Sequence, residues 1–281
     1  MGLFSFNTAP GKGIDKDAPK KKGIFRYLEI LFRKLGKLWK VNMMYFLLSL
    51  PLLAIFTVIS PVTEGFIKTF GLVSDMETVT QLGLLLKVFI GTSLLVLLGS
   101  GPLSAGYAFI TRCFTREEHA WIFSDFKDKF IENFKQGLFV SIFDIVTFLL
   151  IVNGLTFYYP MYLQSGNIAL LLACCFMILV SLILIFAHFY IYQLMITFKQ
   201  TLGQLYRNAI ILALASLPQN IIFLLLSVLV TFISFYFLST VFSIVVFFII
   251  GYSLLRFPIE YYSARVIEKK ILPNIQKDEV E

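Results

Sequence analysis

The chain has 281 residues, 58% of them hydrophobic and 15% charged, with 31 phenylalanines and a net charge of +7. A soluble domain carries charge at about a quarter of its positions, so this composition cannot cover a water-facing surface. Apolar runs of about 20 residues recur, enough for a helix to cross a ~30 Å hydrocarbon layer, and the expected fold is all-α: a polytopic membrane helical bundle.

Residues 1–22 are polar, contain Gly and Pro, and are basic at Lys20-Lys21-Lys22. That composition predicts a disordered basic tail. It lacks the apolar core and cleavage signature of a signal peptide. Met1-Gly2 suggests myristoylation, but the motif wants Ser or Thr where this chain has Phe6. Over 23–40 the spacing predicts an interfacial amphipathic helix. Arg26, Glu29, Arg33, Lys37 and Lys40 share one face, and Ile24, Leu28, Leu31, Leu35 and Leu38 line another. Such a helix lies with its apolar side in lipid, or packs on the protein's own surface.

Residues 41–257 form the predicted six-span domain. The first span is Val41–Ser60, with Pro51 inside it, and the second is Leu82–Ile110. Near the cytoplasmic end of the second, Gly99-Ser100-Gly101-Pro102 followed by Ser104, Ala105 and Gly106 marks close helix packing or a helix interruption. A cytoplasmic helical segment, 111–136, follows. Thr115 and Glu118 have capping-box spacing. Ile122, Phe126, Phe130 and Phe134 then recur at steps of four amid charges, and with Trp121 they are the candidate partner-docking residues. The bland reading of this segment is a second helix lying on the membrane.

The third span is Gly137–Phe157 and the fourth Ile168–Phe198, which pair as a hairpin. Asp144 is the carboxylate well inside a span, and His188 lies at similar or greater depth on the neighbouring helix. A carboxylate in hydrocarbon is expensive unless it is paired, so Asp144 and His188 form the candidate intramembrane polar site. The alternative is a protonated or hydrogen-bonded Asp144 that only holds helices together. Asn153 and Gln193 are expected to bond between helices. Cys113, Cys174 and Cys175 have no metal spacing and read as small buried apolar residues.

The stretch GQLYRNAIILALASLPQNIIF from Gly203 repeats GKLWKVNMMYFLLSLPLLAIF from Gly36, 167 positions earlier. Each carries an aromatic and a cation at its start and a Pro about a dozen residues on. Each helix is expected to kink or break there, at Pro51 and at Pro218. The likeness fits a duplicated hairpin, and equally the shared composition of Leu-rich helices. Gln219 and Asn220 after Pro218 could join a cytoplasmic-side polar patch. The fifth span is Gln219–Leu238 and the sixth Ser239–Phe257, their shared turn falling near Phe237–Thr240; merging them gives the five-span alternative. Residues 258–281 form a cytoplasmic tail.

Orientation follows from the cations, because cytoplasmic loops retain Lys and Arg. Ten precede the first span, five lie in 111–136, two in 199–207 and five in 256–277, which is 22 of the 24 on one face if six helices alternate. Both termini are therefore expected in the cytoplasm. The positive charge is a topology signal, with the bilayer and its anionic lipids as partner and no nucleic acid implied.

The opening MGLF, the block APKKKGIFRYLEILFRKLGKLWKVNMMYFLLSLP, the block GPLSAGYAFITRCFTREEHAWIFSDFKDKFIENFKQG and LYRNAIILALASLPQN together resemble the YesL-like family. This is a family of bacterial multi-span membrane proteins with a domain of unassigned function, often encoded beside carbohydrate ABC transporters. The resemblance implies a bacterial plasma-membrane location and an accessory or assembly role beside the permease subunits of a sugar importer. It supplies no catalytic residues. The chain itself has no Gly-rich phosphate loop, zinc pattern or nucleophile elbow, so neither enzyme activity nor a cofactor is expected. The alternative function is a stand-alone small-solute transporter or channel using Asp144 and His188.

Overall fold

Helices account for nearly every residue that the computed structural model describes, namely 23–55, 89–237 and 240–271. In chain order they are α1 (Gly23–Ile55), α2 (Phe89–Leu97), α3 (Pro102–Arg116), α4 (Ile122–Glu132), α5 (Phe134–Ser165), α6 (Ile168–Thr197), α7 (Leu202–Ala215), α8 (Leu217–Phe237), α9 (Thr240–Val246) and α10 (Tyr252–Lys270), with a π-helical turn over Phe247–Gly251. Among the described residues, four helices are long and apolar enough to cross a membrane: α5, α6, α8 and the unbroken run Phe242–Lys270. Helices α2 and α3, bent by 58°, make a fifth if they count as one broken span. The third to sixth predicted spans thus appear as helices. The basic tail lies outside the described residues, as do parts of the first and second spans and of the Phe237–Thr240 turn.

The expected boundary at residue 40 is absent. α1, 33 residues long, runs straight through it. Its Leu31, Leu38 and Val41 are buried, while Ile24, Leu28 and Leu35 are exposed, so the amphipathic stretch packs partly on the protein. The two Pro-bearing repeats also differ. Pro51 lies inside unbroken α1, whereas the second copy breaks at Ser216 and Pro218 takes the second position of α8, where no N–H is needed. Their burial keeps the same phase: Leu38 and Leu205 are buried, as are Ser49 and Ser216, while Leu47 and Leu214 are exposed.

Local chemistry sets the other ends. Gly166, at φ +66°, closes α5, and the Asn167 side chain accepts the Ala169 N–H at 3.0 Å to open α6. Thr201 and Gln204 form a capping box on α7. The predicted box at Thr115 does not form, because α3 continues to Arg116 and the Thr115 hydroxyl donates to the Thr111 carbonyl. α3 stops at Glu117 in the left-handed region, and the Asp125 carboxylate accepts the Trp121 N–H at 2.8 Å to start α4.

The segments that sequence assigns to the cytoplasm gather at one end. Glu117 binds Arg26 at 3.3 Å and Arg33 at 2.6 Å, and Arg116 binds Glu268 at 2.6 Å. Arg112 donates to Thr197 at 2.7 Å, and Gln136 donates to the Gln200 carbonyl at 3.0 Å. Burial, followed by the neighbouring Lys37 and Arg33, holds the Lys34 ammonium below the usual lysine range, with Glu117 acting in the opposite sense. Away from this end the α5–α6 hairpin projects almost bare, with only 6% of each helix's apolar window buried.

Candidate functional site

The interruption between α2 and α3 organises the polar interior. Gly99 and Gly101 hold φ values of +85° and +60°, which an L side chain rarely adopts, and Pro102 then opens α3. The break lies 15 residues from Arg116, about 20 Å along α3. The Ser100 N–H donates to the Ser104 hydroxyl at 2.8 Å, and Tyr45 ties both serines to α1 at 2.7–2.8 Å. The Gly101 N–H donates to the Tyr192 hydroxyl at 3.2 Å. From the other side α5 lies directly on the break: a Cβ on Gly137 would sit 2.6 Å from the Pro102 nitrogen.

Arg256 occupies the C-terminal end of α2. One guanidinium nitrogen donates to the Val96 and Leu97 carbonyls at 3.0 and 3.1 Å, a second to the His188 carbonyl at 3.0 Å, and Nε to Glu260 at 2.7 Å. Carbonyls left free at a helix C-terminus attract a cation, and here the cation is built in. Glu260 receives its second bond from Gln193 at 2.7 Å, whose amide also reaches the Ala108 carbonyl at 3.1 Å. One guanidinium, one carboxylate and one amide thereby join α2, α3, α6 and α10. Both Arg256 and Glu260 are buried. Sequence reading counted Arg256 among the cytoplasmic cations and singled out Asp144 as the carboxylate well inside a span; the buried Arg256–Glu260 pair is a further charged pair that it did not foresee. The four-residue step from Arg256 to Glu260 was the available signal.

His188 and Asp144 do meet. Nε2 lies 3.0 Å from both carboxylate oxygens, and Nδ1 lies 2.8 Å from the Leu184 carbonyl. A carbonyl only accepts, so Nδ1 carries a proton. The Nε2 contact then needs one more proton, held either as imidazolium beside carboxylate or as neutral imidazole beside carboxylic acid. The rings of Tyr192 and Tyr206 lie 6.3 and 6.2 Å from the imidazole. Among the described residues, the buried hydroxyls of Tyr206 and Ser141 have no hydrogen-bond partner. Because the His188 carbonyl is an Arg256 acceptor, the pair hangs on the same clamp that closes α2.

A second polar node, unforeseen from sequence, is Asn42. Its amide donates to the Phe247 and Phe248 carbonyls at 3.0 and 2.7 Å and accepts the Ser253 N–H at 2.7 Å. The π turn loosens the regular ladder and leaves those carbonyls available to α1. Tyr107 completes the node by donating to the Ser253 hydroxyl at 3.0 Å.

The other sequence candidates divide. Phe126 is 3% exposed and sits beneath Gly106, and Ile122 and Phe130 pack partly with it, so these three of the four residues in the apolar row face the protein. Trp121 at 71% and Phe123 at 74% point outward, joined by Ile131 and Phe134. Asn220 is buried and bonded to Tyr190 and to the Ala213 carbonyl, whereas Gln219 is exposed. Gln193 bonds between helices as expected; Asn153 bonds only to its own helix, at the Leu149 carbonyl. Cys113 and Cys174 are buried and Cys175 is exposed. Among the described residues, no group of three or more His, Cys, Asp or Glu could hold a metal ion.

Comparison with protein-family models, curated proteins and solved structures finds no match to this chain. Among the described residues, the fold and the site are those of an all-helical chain with four or five helices long and apolar enough to cross a membrane and a paired polar interior.

Proposed function

We propose that the chain is an accessory or assembly subunit that binds another membrane protein through the surface around α4, the partner being a permease subunit of a carbohydrate ABC importer. The observation that carries this reading is the outward set Trp121, Phe123 and Ile131 on a helix fixed beneath by buried Phe126. Large aromatics on a rigid support among charges have the character of interface anchors. The partner class comes from the resemblance to the YesL-like family. The Arg256–Glu260 clamp fits a supporting role, since its donors and acceptors are used within the protein.

The test is a pull-down in mild detergent from the native membrane. Wild-type chain should co-purify with permease subunits, and Trp121→Ser with Phe123→Ser and Ile131→Ser should lose them while keeping the same thermal unfolding. Recovery of the wild-type chain without permease subunits would end the proposal. A second reading, a small-solute transporter or channel, is favoured by the Asp144–His188 contact beside a broken helix. It requires substrate-dependent flux in liposomes containing this protein alone, abolished by His188→Leu.

A further inference from the structure

Along α5, the residues Phe139, Ile142, Val146, Leu149, Asn153 and Thr156 follow one another at steps of three and four, and all six are exposed. That spacing is the seam of a helix pair wound with a left-handed crossing. A neighbouring side of the helix, about 100° round from Asn153, is occupied by α6, since a Cβ on Gly154 would meet Met177 at 2.6 Å. Within the apolar stripe, Asn153 is anomalous. It precedes Tyr158 by five residues, about 8 Å along the helix, and Tyr158, Tyr159 and Tyr162 are aromatics of the kind that gather at membrane surfaces. One amide hydrogen is used on the Leu149 carbonyl at 2.7 Å. Asn153 is exposed on a helix long and apolar enough to cross a membrane, and on such a span the carboxamide oxygen and the second hydrogen would be left to lipid, which offers no hydrogen bond. Thr156 differs, because its hydroxyl turns back to the Val152 and Asn153 carbonyls.

We propose that this seam is a self-association surface, on which two copies of the chain pair in parallel through α5 with Asn153 against Asn153. Copies in one membrane share one orientation, so Asn153 lies at the same depth in each. A two-fold axis along the membrane normal then brings identical residues together. The carboxamide is both donor and acceptor, so the two side chains satisfy each other reciprocally. Single asparagines at seam positions fix register and drive association of helices in lipid. This surface is separate from the one around Trp121 and stands whether or not that surface binds a permease.

The experiment uses the full-length chain with Cys175→Ser, carrying Val146→Cys or Leu149→Cys, in liposomes and in the native membrane. Mild oxidation should give a disulfide-linked dimer at both seam positions and none at Leu172→Cys on α6. Adding Asn153→Leu should weaken dimerisation about tenfold, and Asn153→Gln should restore most of it. Thermal unfolding of the lipid-facing Asn153→Leu chain should stay unchanged, so loss of dimer reads association and not folding. A chain that remains monomeric as lipid is reduced would overturn the proposal. So would a dimer indifferent to Asn153→Leu, or seam cysteines that capture a different membrane protein with no self-adduct.

Discussion

Arg256 shows how a buried charge is retained in this fold. Its guanidinium gives up water but gains two carbonyls at the end of α2, a third from His188 and the Glu260 carboxylate. Removing one member of such a pair strands the other, at about 3–5 kcal/mol. Arg256→Met is therefore expected to lower stability by that amount, read as thermal unfolding in detergent. Arg256→Met with Glu260→Gln should recover part of the loss, because the remaining amide can still take the Gln193 bond. A double variant no more stable than the single one would contradict the pairing. At Asp144 the same reasoning gives a split outcome. Asp144→Asn keeps a donor for His188 Nε2 and should change stability by under about 1 kcal/mol. Asp144→Leu leaves that nitrogen unpaired, for about 1–3 kcal/mol in the same measurement. Asp144 and His188 were legible in the sequence because each stands out within an apolar run on adjacent helices. Arg256 and Glu260 were not, since charges close to a helix end look like loop charges until the helix is seen to continue to Lys270.

At the scale of elements, the broken helix depends on glycines more than on its proline. Pro51 and Pro160 both sit inside helices that continue past them, so Pro by itself does not dictate a break. Between α2 and α3, Gly99 and Gly101 supply backbone angles that other residues resist, and Gly137 lets α5 press on the junction. Gly137→Ala should push α5 off the break and cost about 1–3 kcal/mol by overpacking. Gly203→Ala, where nothing lies within 4 Å, should be neutral or stabilise by up to about 1 kcal/mol through helix propensity. Comparing the two unfolding temperatures checks whether close approach, and not glycine content, is what matters. The Gly-Pro cluster read in sequence as close packing or an interruption; that it is both, with α5 pressed on a 58° bend, was not legible, because hydropathy is continuous across a break whose polar groups are bonded internally. The row from Ile122 to Phe134 shows the converse limit. Its period gives a helix with an apolar face, but not whether protein, lipid or a partner covers that face; Gly106 admits the Phe126 ring, while Phe134 stays exposed.

For the molecule as a whole, the distribution of cations and the contacts between distant segments converge on one polarity. Arg26, Arg33, Glu117, Arg116 and Glu268 come from α1, the end of α3 and the end of α10, and they touch one another. Gln136 and Gln200 bring the start of α5 and the end of α6 to the same end. The α5–α6 turn at Gly166 lies a full helix length away, about 45 Å along the 30 residues of α6. A cluster this rich in charge stays in water, and the retention of Lys and Arg on the cytoplasmic side predicts that it lies inside the cell. The prediction is an accessibility pattern. In sealed cells with Cys175→Ser, a membrane-impermeant thiol reagent should leave Lys127→Cys and Lys269→Cys unlabelled until the membrane is opened, and should label Ser165→Cys from outside at once. Outside labelling of Lys127→Cys and Lys269→Cys with protection of Ser165→Cys would invert the protein. Labelling of those two lysine positions from different sides would break the gathered end itself, because the Arg116–Glu268 contact requires the segments on both sides of it to share one aqueous compartment.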